Sequence, residues 1–390
     1  MMTYTPCIIC SNTDVQLFDR YSELYRVTSD CKPWKRNGLL GICENCGTVQ
    51  KRNDQVWREE VGEIYKNYSI YHQGNGSEQV VFQNGSSLSR SRSLQIISKL
   101  KEYGFLSNTG KLLDIGCGNG GFLRSFQEIF PNWVNSGYEI NEKYKEDILN
   151  IPNVVNFYSS NFSLIEKKYD VITLIHVLEH LSDPFDYLNK VKDLLSPRGI
   201  LLIEVPNFKE NPFDLLIADH IVHYSLDALN LIVNKLGGEI VYQSENLIPR
   251  EITICISFSN LIKEKAKSEK VPPEVIDSNL TITNEYIHNL EKFANTIIVA
   301  ESKTGTSLGI FGTSIAATWV FSTLGGDAIS YFVDEDVNRI GRRIFDIPIL
   351  SPEDVSTDSI LILPFKREIA SSIFHRLFLN KKINYLSPEF

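Results

Sequence analysis

The chain has 390 residues, of which 43% are hydrophobic and 22% are charged, and its formal net charge is −9. This composition is typical of a globular protein with two or three domains, and the acidic balance argues against a nucleic-acid groove. No stretch approaches the roughly 20 apolar residues of a membrane span, and the first residues lack the pattern of a signal peptide. We therefore expect a cytoplasmic monomer or homodimer without membrane or nucleic-acid partners.

The first segment contains two pairs of cysteines in C-x-x-C spacing. Cys7 and Cys10 form the first pair, and Cys43 and Cys46 form the second. Two such knuckles present four thiolates to a tetrahedral ion, which is a zinc-ribbon pattern, and a metal can replace the core that a short segment cannot build. Cys31 lies between the pairs and is not needed as a ligand. We expect structural zinc; two pairs of buried or reactive thiols are the alternative.

From residue 110 to residue 258, strand-like and helix-like segments alternate, which predicts a parallel sheet covered by helices on both faces. An amphipathic helix, Ser87–Tyr103, leads into the first strand. Ligands of such sheets lie beyond the carboxyl ends of the strands, so candidate site residues follow the strands. The predicted strands are Lys111–Ile115, Trp133–Glu139, Val154–Tyr158, Val171–Ile175, Gly199–Val205 and Gly238–Gln243, with a last one near Glu251–Phe258.

A glycine-rich turn follows the first of these strands. Asp114 ends the strand, and Gly116, Gly118 and Gly120 occupy alternate positions after it. Glycines permit positive φ and let a ligand lie against bare backbone, while the N–H groups at the start of the next helix face that ligand. A carboxylate at Asp114 repels a pyrophosphate but suits a cationic ligand. Glu139, at the end of the second strand, suits a ribose diol.

This D-x-G-x-G-x-G pattern, with its following acid, resembles motif I of the class I S-adenosylmethionine (SAM) methyltransferases. The resemblance implies that His176, at the end of the fourth strand, faces the methionyl part of SAM and the acceptor. The resemblance implies a SAM site made of the motif and the strand ends that follow it: Asp114, Gly116, Gly118, Gly120, Glu139, Asn161 and His176.

The loop after the fifth strand is crowded with polar residues. Asp219, His220 and His223 lie within five positions. Histidine suits proton transfer near neutral pH, and a neighbouring carboxylate orients or charges it. Asp219 and His220 are adjacent, so their side chains meet only in a turn and not on a helix. An active-site role is one interpretation; a polar cap for the helix that begins near Ser225 is the other.

Two further features near the strand ends leave alternatives open. His180 lies one helical turn after His176, so the two can share a face, but a metal pair lacks an evident third ligand. A structural hydrogen-bonding role is the other interpretation of His180. An aromatic, polar stretch that ends in a loop after Tyr71 either covers a substrate or packs between domains.

The C-terminal third starts a second strand–glycine–helix pattern. Gly312 lies in the turn, and a later strand ends in Asp334. The turn lacks the G-x-G-x-x-G pattern, so a substrate-supporting or degenerate nucleotide fold is favoured over dinucleotide binding. We expect an N-terminal zinc-binding domain (1–75), a SAM-dependent methyltransferase domain (76–260), a helical linker (261–300) and a C-terminal Rossmann-like domain (301–390).

This order of domains resembles the sugar C-methyltransferase family over nearly the whole chain. Gly312 stands where the family has a glycine–alanine turn, and Pro364 stands where the family ends a strand in Pro-Trp-Asn. The resemblance implies an α/β fold in which a class I SAM methyltransferase domain is flanked by a zinc-ribbon-like domain and a Rossmann-like domain. It also implies methylation at C3 of a nucleotide-linked 4-keto-deoxysugar, in deoxysugar or surface-polysaccharide biosynthesis.

The family carries a Tyr-His-Glu-His cluster after its fifth strand, where this chain keeps only the pair Asp219 and His220. The resemblance implies that His220 is the base, oriented by Asp219, and that His223 or Tyr71 substitutes for the missing tyrosine. With His176, these residues form the expected catalytic set. His220 would remove a proton α to a ketone, and the enediolate would attack the sulfonium methyl group.

Two other functions fit the same sequence. One is O- or N-methylation of another small-molecule acceptor, with the same histidine acting as a base on oxygen or nitrogen. The other is a non-enzymatic zinc-ribbon scaffold whose SAM domain is inactive. The intact Asp114, Gly116, Gly118 and Glu139 argue against the scaffold.

Overall fold

The computed structural model describes residues 5–69, 80–82, 89–159, 161–165, 168–259, 271–304, 308–357 and 359–390. Tyr71, one of the expected catalytic residues, lies outside this part of the chain. Within it, no helix is both long enough and apolar enough to cross a membrane.

The N-terminal part consists of short strands followed by one amphipathic helix. Its elements are β1 (Val15–Leu17), β2 (Arg26–Val27), β3 (Pro33–Trp34), β4 (Leu40–Cys43), β5 (Val49–Lys51) and α1 (Gln55–Lys66). The Asp54 side chain caps α1 by accepting a hydrogen bond from the Trp57 N–H, and Trp57 and Ile64 form its buried face. β4 pairs antiparallel with β1 on one side and with β5 on the other.

The central part alternates strands and helices, as the sequence predicts. Its elements are β6 (Val80–Phe82), β7 (Ser89–Ser91), α2 (Arg92–Glu102), β8 (Lys111–Ile115), α3 (Gly121–Ile129), β9 (Val134–Tyr138), α4 (Lys145–Leu149), β10 (Val154–Tyr158), β11 (Tyr169–Ile175), α5 (Pro184–Leu194), β12 (Leu195–Pro206), β13 (Val222–His223), α6 (Leu226–Lys235), β14 (Glu239–Ser244) and β15 (Glu251–Ser257). The seven strands predicted for this sheet are confirmed, with small changes at their ends.

These strands form a seven-stranded sheet in the order β10-β9-β8-β11-β12-β15-β14. All neighbours run parallel except β15, which is antiparallel to both β12 and β14. The chain leaves β8 toward β9 on one side and returns to β11 on the other. The turn after β8 therefore lies at the switch point of the sheet, where α/β folds bind ligands. This arrangement is the class I SAM methyltransferase fold expected for this part of the chain.

The C-terminal part begins with a long helix and continues as a second α/β layer. Its elements are α7 (Pro273–Thr304), β16 (Leu308–Phe311), α8 (Ile315–Leu324), β17 (Ile329–Val333), β18 (Arg343–Ile344), β19 (Ile347–Leu350), β20 (Ile360–Ile362), α9 (Arg367–Phe378) and β21 (Asn384–Leu386). The strands follow the order β18-β19-β17-β16-β20-β21 and run parallel apart from β18. Asp334, at the end of β17, accepts hydrogen bonds from Thr313 and Arg339.

The N-terminal segment packs into the cores of both larger units. Ile9 and Trp57 belong to the hydrophobic cluster beneath the central sheet. Tyr21 belongs to a second cluster, together with Phe213 of the central part and Trp319 of α8. β5 also pairs with β13, so the small N-terminal sheet continues into the loop after β12. The loop that carries the candidate histidines is thus held by the N-terminal segment.

Trp319 packs α8 against Phe213 and Phe293, and its replacement tests this packing. It is fully buried, and its ring centroid lies 5.8 Å from that of Phe213 and 6.2 Å from that of Phe293. We predict that Trp319→Ala lowers the free energy of unfolding by about 3–5 kcal/mol, the usual cost of such a cavity. The control Val337→Ala, at a position that is 81% exposed, should change it by less than about 0.5 kcal/mol. Equal urea midpoints for the two variants would contradict this packing role.

Candidate active site and metal centre

The turn after β8 has the backbone conformation that only glycine adopts without strain. Gly116, Gly118 and Gly120 have φ values of 73°, 53° and 81°. A Cβ at Gly116 would lie 2.4 Å from Cγ2 of Val177, so a side chain there would collide with the segment after β11. Asp114 is buried before the turn, where one of its carboxylate oxygens accepts a hydrogen bond of 2.6 Å from Thr173.

Glu139 lies beside this turn, at the carboxyl end of β9. One carboxylate oxygen accepts a hydrogen bond of 3.0 Å from the Gly118 N–H, and the other accepts one of 2.8 Å from the Ile140 N–H. Both contacts fix the carboxylate at the switch point. The structure therefore brings Glu139 to the glycine turn, as the sequence predicts.

Asn161 and the glycine turn are not joined by the contacts of the described residues. The Asn161 side-chain oxygen accepts hydrogen bonds from the N–H and the hydroxyl of Ser163, at 3.0 and 2.6 Å. It thereby caps the short helical turn Phe162–Leu164. Its role in SAM binding remains a prediction.

His176 occupies a left-handed backbone conformation at the end of β11, with φ of 53°. Nδ1 lies 3.0 Å from a carboxylate oxygen of Glu179, and Nε2 lies 3.8 and 3.7 Å from oxygens of Glu204 and Glu251. Burial by itself lowers the pKa of His176, but the neighbouring carboxylates, first Glu251, outweigh it and raise the pKa. The imidazole is therefore set among carboxylates that favour its charged form.

Glu204 and Glu251 are site residues that the sequence analysis did not single out. Glu204 is fully buried, and burial raises its pKa to about 7. Burial also raises the pKa of Glu251. A glutamate inside the apolar strand β12 was the available signal, because burying a carboxylate costs free energy unless it is paired or hydrogen bonded.

The loop after β12 brings two histidines onto one carboxylate. Nδ1 of His220 lies 2.8 Å from one oxygen of Asp214, and Nδ1 of His223 lies 2.6 Å from the other oxygen. All three side chains are almost completely buried. Burial by itself would raise the pKa of Asp214, but the two histidines hold it well below its usual range. Burial lowers the pKa of His220, yet the hydrogen bond from its ring to Asp214 outweighs this and raises it.

The expected pairing of Asp219 with His220 is wrong. The carboxylate of Asp219 accepts hydrogen bonds from the N–H and hydroxyl of Ser29, at 2.8 and 2.5 Å. Adjacent side chains diverge here, whereas Asp214 lies six positions before His220 on a turn that folds back toward it. Asp219 contacts a different histidine: its carbonyl oxygen lies 3.0 Å from Nδ1 of His180, and its carboxylate lies 3.4 Å away.

His223 also differs from its expected place. Both ring nitrogens are engaged, Nδ1 with Asp214 and Nε2 with the ammonium group of Lys51, which is 3.0 Å away. The ring is fully buried behind Asp214. His223 is therefore a support for the loop and does not replace the missing tyrosine of the acceptor pocket.

Glu179, His180 and His220 converge on one point. One side-chain atom of each, a ring nitrogen or a carboxylate oxygen, lies within 4.8 Å of those of the other two. Among the described residues, His176 does not belong to this group. The rings of His180 and His220 meet edge to face, with centroids 4.7 Å apart. The sequence suggested that His180 shares a face with His176. In the structure, His180 instead contacts His220.

Tyrosines from α1 and the residues after it border the same group. The Tyr65 ring lies 6.3 Å from the His180 ring and 5.3 Å from the Tyr68 ring. The Tyr68 hydroxyl lies 3.5 Å from the Ser29 hydroxyl, which in turn contacts Asp219. Both tyrosines belong to the aromatic stretch that the sequence predicts to cover a substrate or to pack between domains, in which only Tyr71 was given a catalytic role.

The four knuckle cysteines meet at one place, as the sequence predicts. Sγ of Cys7 lies 3.6 Å from Sγ of Cys46, and Sγ of Cys10 lies 3.4 Å from Sγ of Cys43. A tetrahedral zinc ion with bonds of 2.3 Å separates its sulfur ligands by roughly 3.8 Å, so the set fits such an ion with little adjustment. The group does not contain Cys31.

The comparisons with known proteins concern the central part of the chain. Residues 89–243 match the model of a methyltransferase domain family. The chain is 27% identical over 117 residues to a ubiquinone biosynthesis O-methyltransferase of Actinobacillus pleuropneumoniae serotype 7, covering 27% of this chain and 50% of that protein. It is 28% identical over 125 residues to the protein of the same name from Histophilus somni, covering 29% and 52%. The chain thus spans about half the length of these curated relatives.

Two solved structures whose names describe methyltransferases also match parts of this chain. One is a SAM-dependent methyltransferase from Clostridium acetobutylicum, with a TM-score of 0.37, 12% identity and coverage of 52% of this chain and 99% of that one. Another is the mitomycin 7-O-methyltransferase, with a TM-score of 0.37, 17% identity and coverage of 43% and 52%. From its sheet order, its glycine turn and the family match, the chain contains a class I SAM-dependent methyltransferase domain.

Proposed function

We propose that the chain is a SAM-dependent methyltransferase that activates a small-molecule acceptor with His220, and that the acceptor is a nucleotide-linked keto sugar methylated on carbon. The observation that carries this proposal is the buried Asp214–His220 pair beside Glu179 and His180. This arrangement gives an imidazole with a fixed orientation and raised basicity, which is what proton removal requires.

The residues of the switch point suit SAM. Glu139 offers carboxylate oxygens for a ribose diol, and the crowded, positive-φ backbone at Gly116 admits no side chain where a ligand would approach. Asp114 supplies negative charge beneath the turn. When bound, SAM supplies an electrophilic methyl group. Asp114, Glu139 and the glycine turn would hold it, with His176 at the neighbouring strand end.

The protonation of His220 follows from its partner. An ionised carboxylate only accepts hydrogen bonds, so Nδ1 of His220 carries the proton that it donates to Asp214. In the neutral form of the ring, Nε2 carries the lone pair and can take a proton from the acceptor. With a ketone acceptor, the proton comes from the carbon next to the carbonyl. Glu179 and His180 lie beside His220, where they would orient the acceptor oxygen.

Oxygen methylation is the second candidate. The curated relatives that match this chain carry the name of O-methyltransferases. In that case His220 would remove the proton of a hydroxyl group, and the same buried Asp214 would hold the imidazole. The two candidates differ in whether a carbon-bound hydrogen becomes labile.

For the N-terminal segment we propose one structural zinc ion bound by Cys7, Cys10, Cys43 and Cys46. The short sulfur separations and the buried surroundings support it. The ion would brace the β4–β5 hairpin, and β5 pairs with β13 beside the histidine loop. Zinc would therefore act on catalysis only by supporting that loop.

The cofactor proposal is tested at Glu139. We predict that Glu139→Ala weakens SAM binding by about 1.5–3 kcal/mol, the usual contribution of a hydrogen bond to a charged group. Isothermal titration calorimetry measures this directly. Glu142→Ala is the control, because that carboxylate is exposed and lies three positions after Glu139 in the chain. If the Glu139 variant binds SAM as tightly as the parent protein, Glu139 does not bind the ribose of SAM.

The catalytic proposal is tested by comparing two aspartates. We predict that His220→Ala lowers turnover by about 100- to 10,000-fold while SAM affinity stays within about twofold. Asp214→Asn should fall between this variant and the parent, and Asp219→Asn should cost less than Asp214→Asn. Full activity of the His220 variant would move the base elsewhere, and a larger loss at Asp219 would restore the pairing expected from the sequence.

Hydrogen exchange separates carbon from oxygen methylation. A screen of nucleotide sugars with labelled SAM first identifies the acceptor. With that acceptor bound in deuterated solvent and SAM omitted, we predict exchange of the hydrogen next to the ketone, and none in His220→Ala. If an active enzyme exchanges no carbon-bound hydrogen, oxygen methylation is the correct candidate.

The zinc proposal is tested by elemental analysis. We predict about one equivalent of zinc in the parent protein, and loss of the metal with unfolding of the N-terminal segment in Cys43→Ser. Cys31→Ser, outside the cluster, should keep its metal. A fully folded preparation without metal would contradict the proposal.

A further inference from the structure

Lys51 is a buried lysine that the sequence analysis passed over. It ends β5, and only 1% of it is exposed. Its Nζ lies 2.5 Å from the carbonyl oxygen of Ile217 and 3.0 Å from that of His220. It also lies 3.3 Å from the carbonyl of Leu215 and 3.0 Å from Nε2 of His223. One ammonium group thus spans the whole turn that carries the candidate base.

The contact with His223 fixes the protonation of that ring. Nδ1 of His223 faces an oxygen of Asp214 at 2.6 Å and must donate to it, because an ionised carboxylate only accepts. Nε2 then carries a lone pair and accepts from Lys51. Burial, together with the nearby Lys51 charge, lowers the pKa of His223 to about 4, which agrees with a neutral ring.

The same contacts reach His220 by two routes. Through side chains, Lys51 holds His223, His223 holds one oxygen of Asp214, and the other oxygen of Asp214 holds His220. Through the backbone, Lys51 holds the carbonyl of His220 itself. Because each link is buried and hydrogen bonded, loss of the ammonium group would free both the ring and the turn.

We propose that Lys51, supplied by the N-terminal segment, is a positioning residue that sets the orientation of His220 for proton removal. This inference rests on the proposed function, since it assumes that His220 acts on the acceptor. It means that the N-terminal segment contributes to the active site, beyond bracing the fold. The β5–β13 pairing fixes Lys51 opposite the loop, with Val49 in register with His223.

Kinetics with Lys51→Met give the first test. Methionine keeps the length and apolar stem of lysine and removes the ammonium group. We expect kcat to fall by about 10- to 100-fold, the usual effect of losing an outer partner of a site residue, with SAM affinity within about twofold of the parent. Lys381→Met is the matched control. Lys381 also binds three carbonyl groups, those of Pro352, Glu353 and Val355, but far along the chain in the C-terminal part.

A combined variant separates positioning from a general loss of structure. If Lys51 acts through His220, Lys51→Met should cost no further turnover once His220 is alanine, because the residual rate no longer depends on that ring. A further loss in the double variant, or an equal fall of kcat in Lys381→Met, would overturn the proposal.

A spectroscopic test is independent of turnover. We expect the imidazole ¹⁵N signals of His223 to show a proton on Nδ1 in the parent and to shift in Lys51→Met, while those of exposed His375 stay unchanged. Unchanged His223 signals would overturn the positioning role even if His220 proves essential. Conversely, the His223 signals could shift in Lys51→Met while His220→Ala keeps full activity. That result would confirm the contact between Lys51 and His223 but refute the proposed function of His220.

Discussion

The carboxylate of Asp214 is the constraint on which the histidine loop depends. Both of its oxygens are used, one by His220 and one by His223, in surroundings that water does not reach. A buried carboxylate is costly unless it is fully hydrogen bonded, so both histidines are held where they satisfy it. Burial lowers the pKa of the nearby Lys51 to about 7, while the charge of Asp214 acts in the opposite direction and favours the ammonium form. The orientation of the candidate base is therefore a consequence of how a buried negative charge is accommodated.

This constraint is met by residues from two parts of the chain. β5 brings Lys51 to the loop after β12, while the cysteine cluster lies at the other end of the same hairpin. The N-terminal segment also divides its apolar side chains between two cores. We expected a metal to replace a core that this segment could not build. Instead, the apolar side chains of this segment are buried against the central and C-terminal parts of the chain. The cysteine cluster lies on the hairpin that connects the segment to the loop.

Local signals predicted most of the central fold. The inner strands β8, β11, β12 and β15 are mostly buried, so they appear in the sequence as apolar runs. The glycines after β8 occupy backbone conformations that other residues avoid. The cysteine spacing was equally informative, because the geometry of a tetrahedral ion restricts it. What the sequence could not predict were partnerships across long separations. Lys51 and His223 lie 172 positions apart, and Asp214 resembles an ordinary turn residue after Pro212. Adjacency made Asp219 the natural partner of His220, but adjacency does not determine where side chains point.

The most direct test of the account is a crystal structure with S-adenosylhomocysteine and the acceptor bound. The account predicts the ribose on Glu139, and the acceptor between the cofactor sulfur and Nε2 of His220, with Asp214 on the opposite side of that ring. If the acceptor instead lies away from His220, with the Asp214–His220 pair screened from the sulfur by other side chains, the central claim is contradicted.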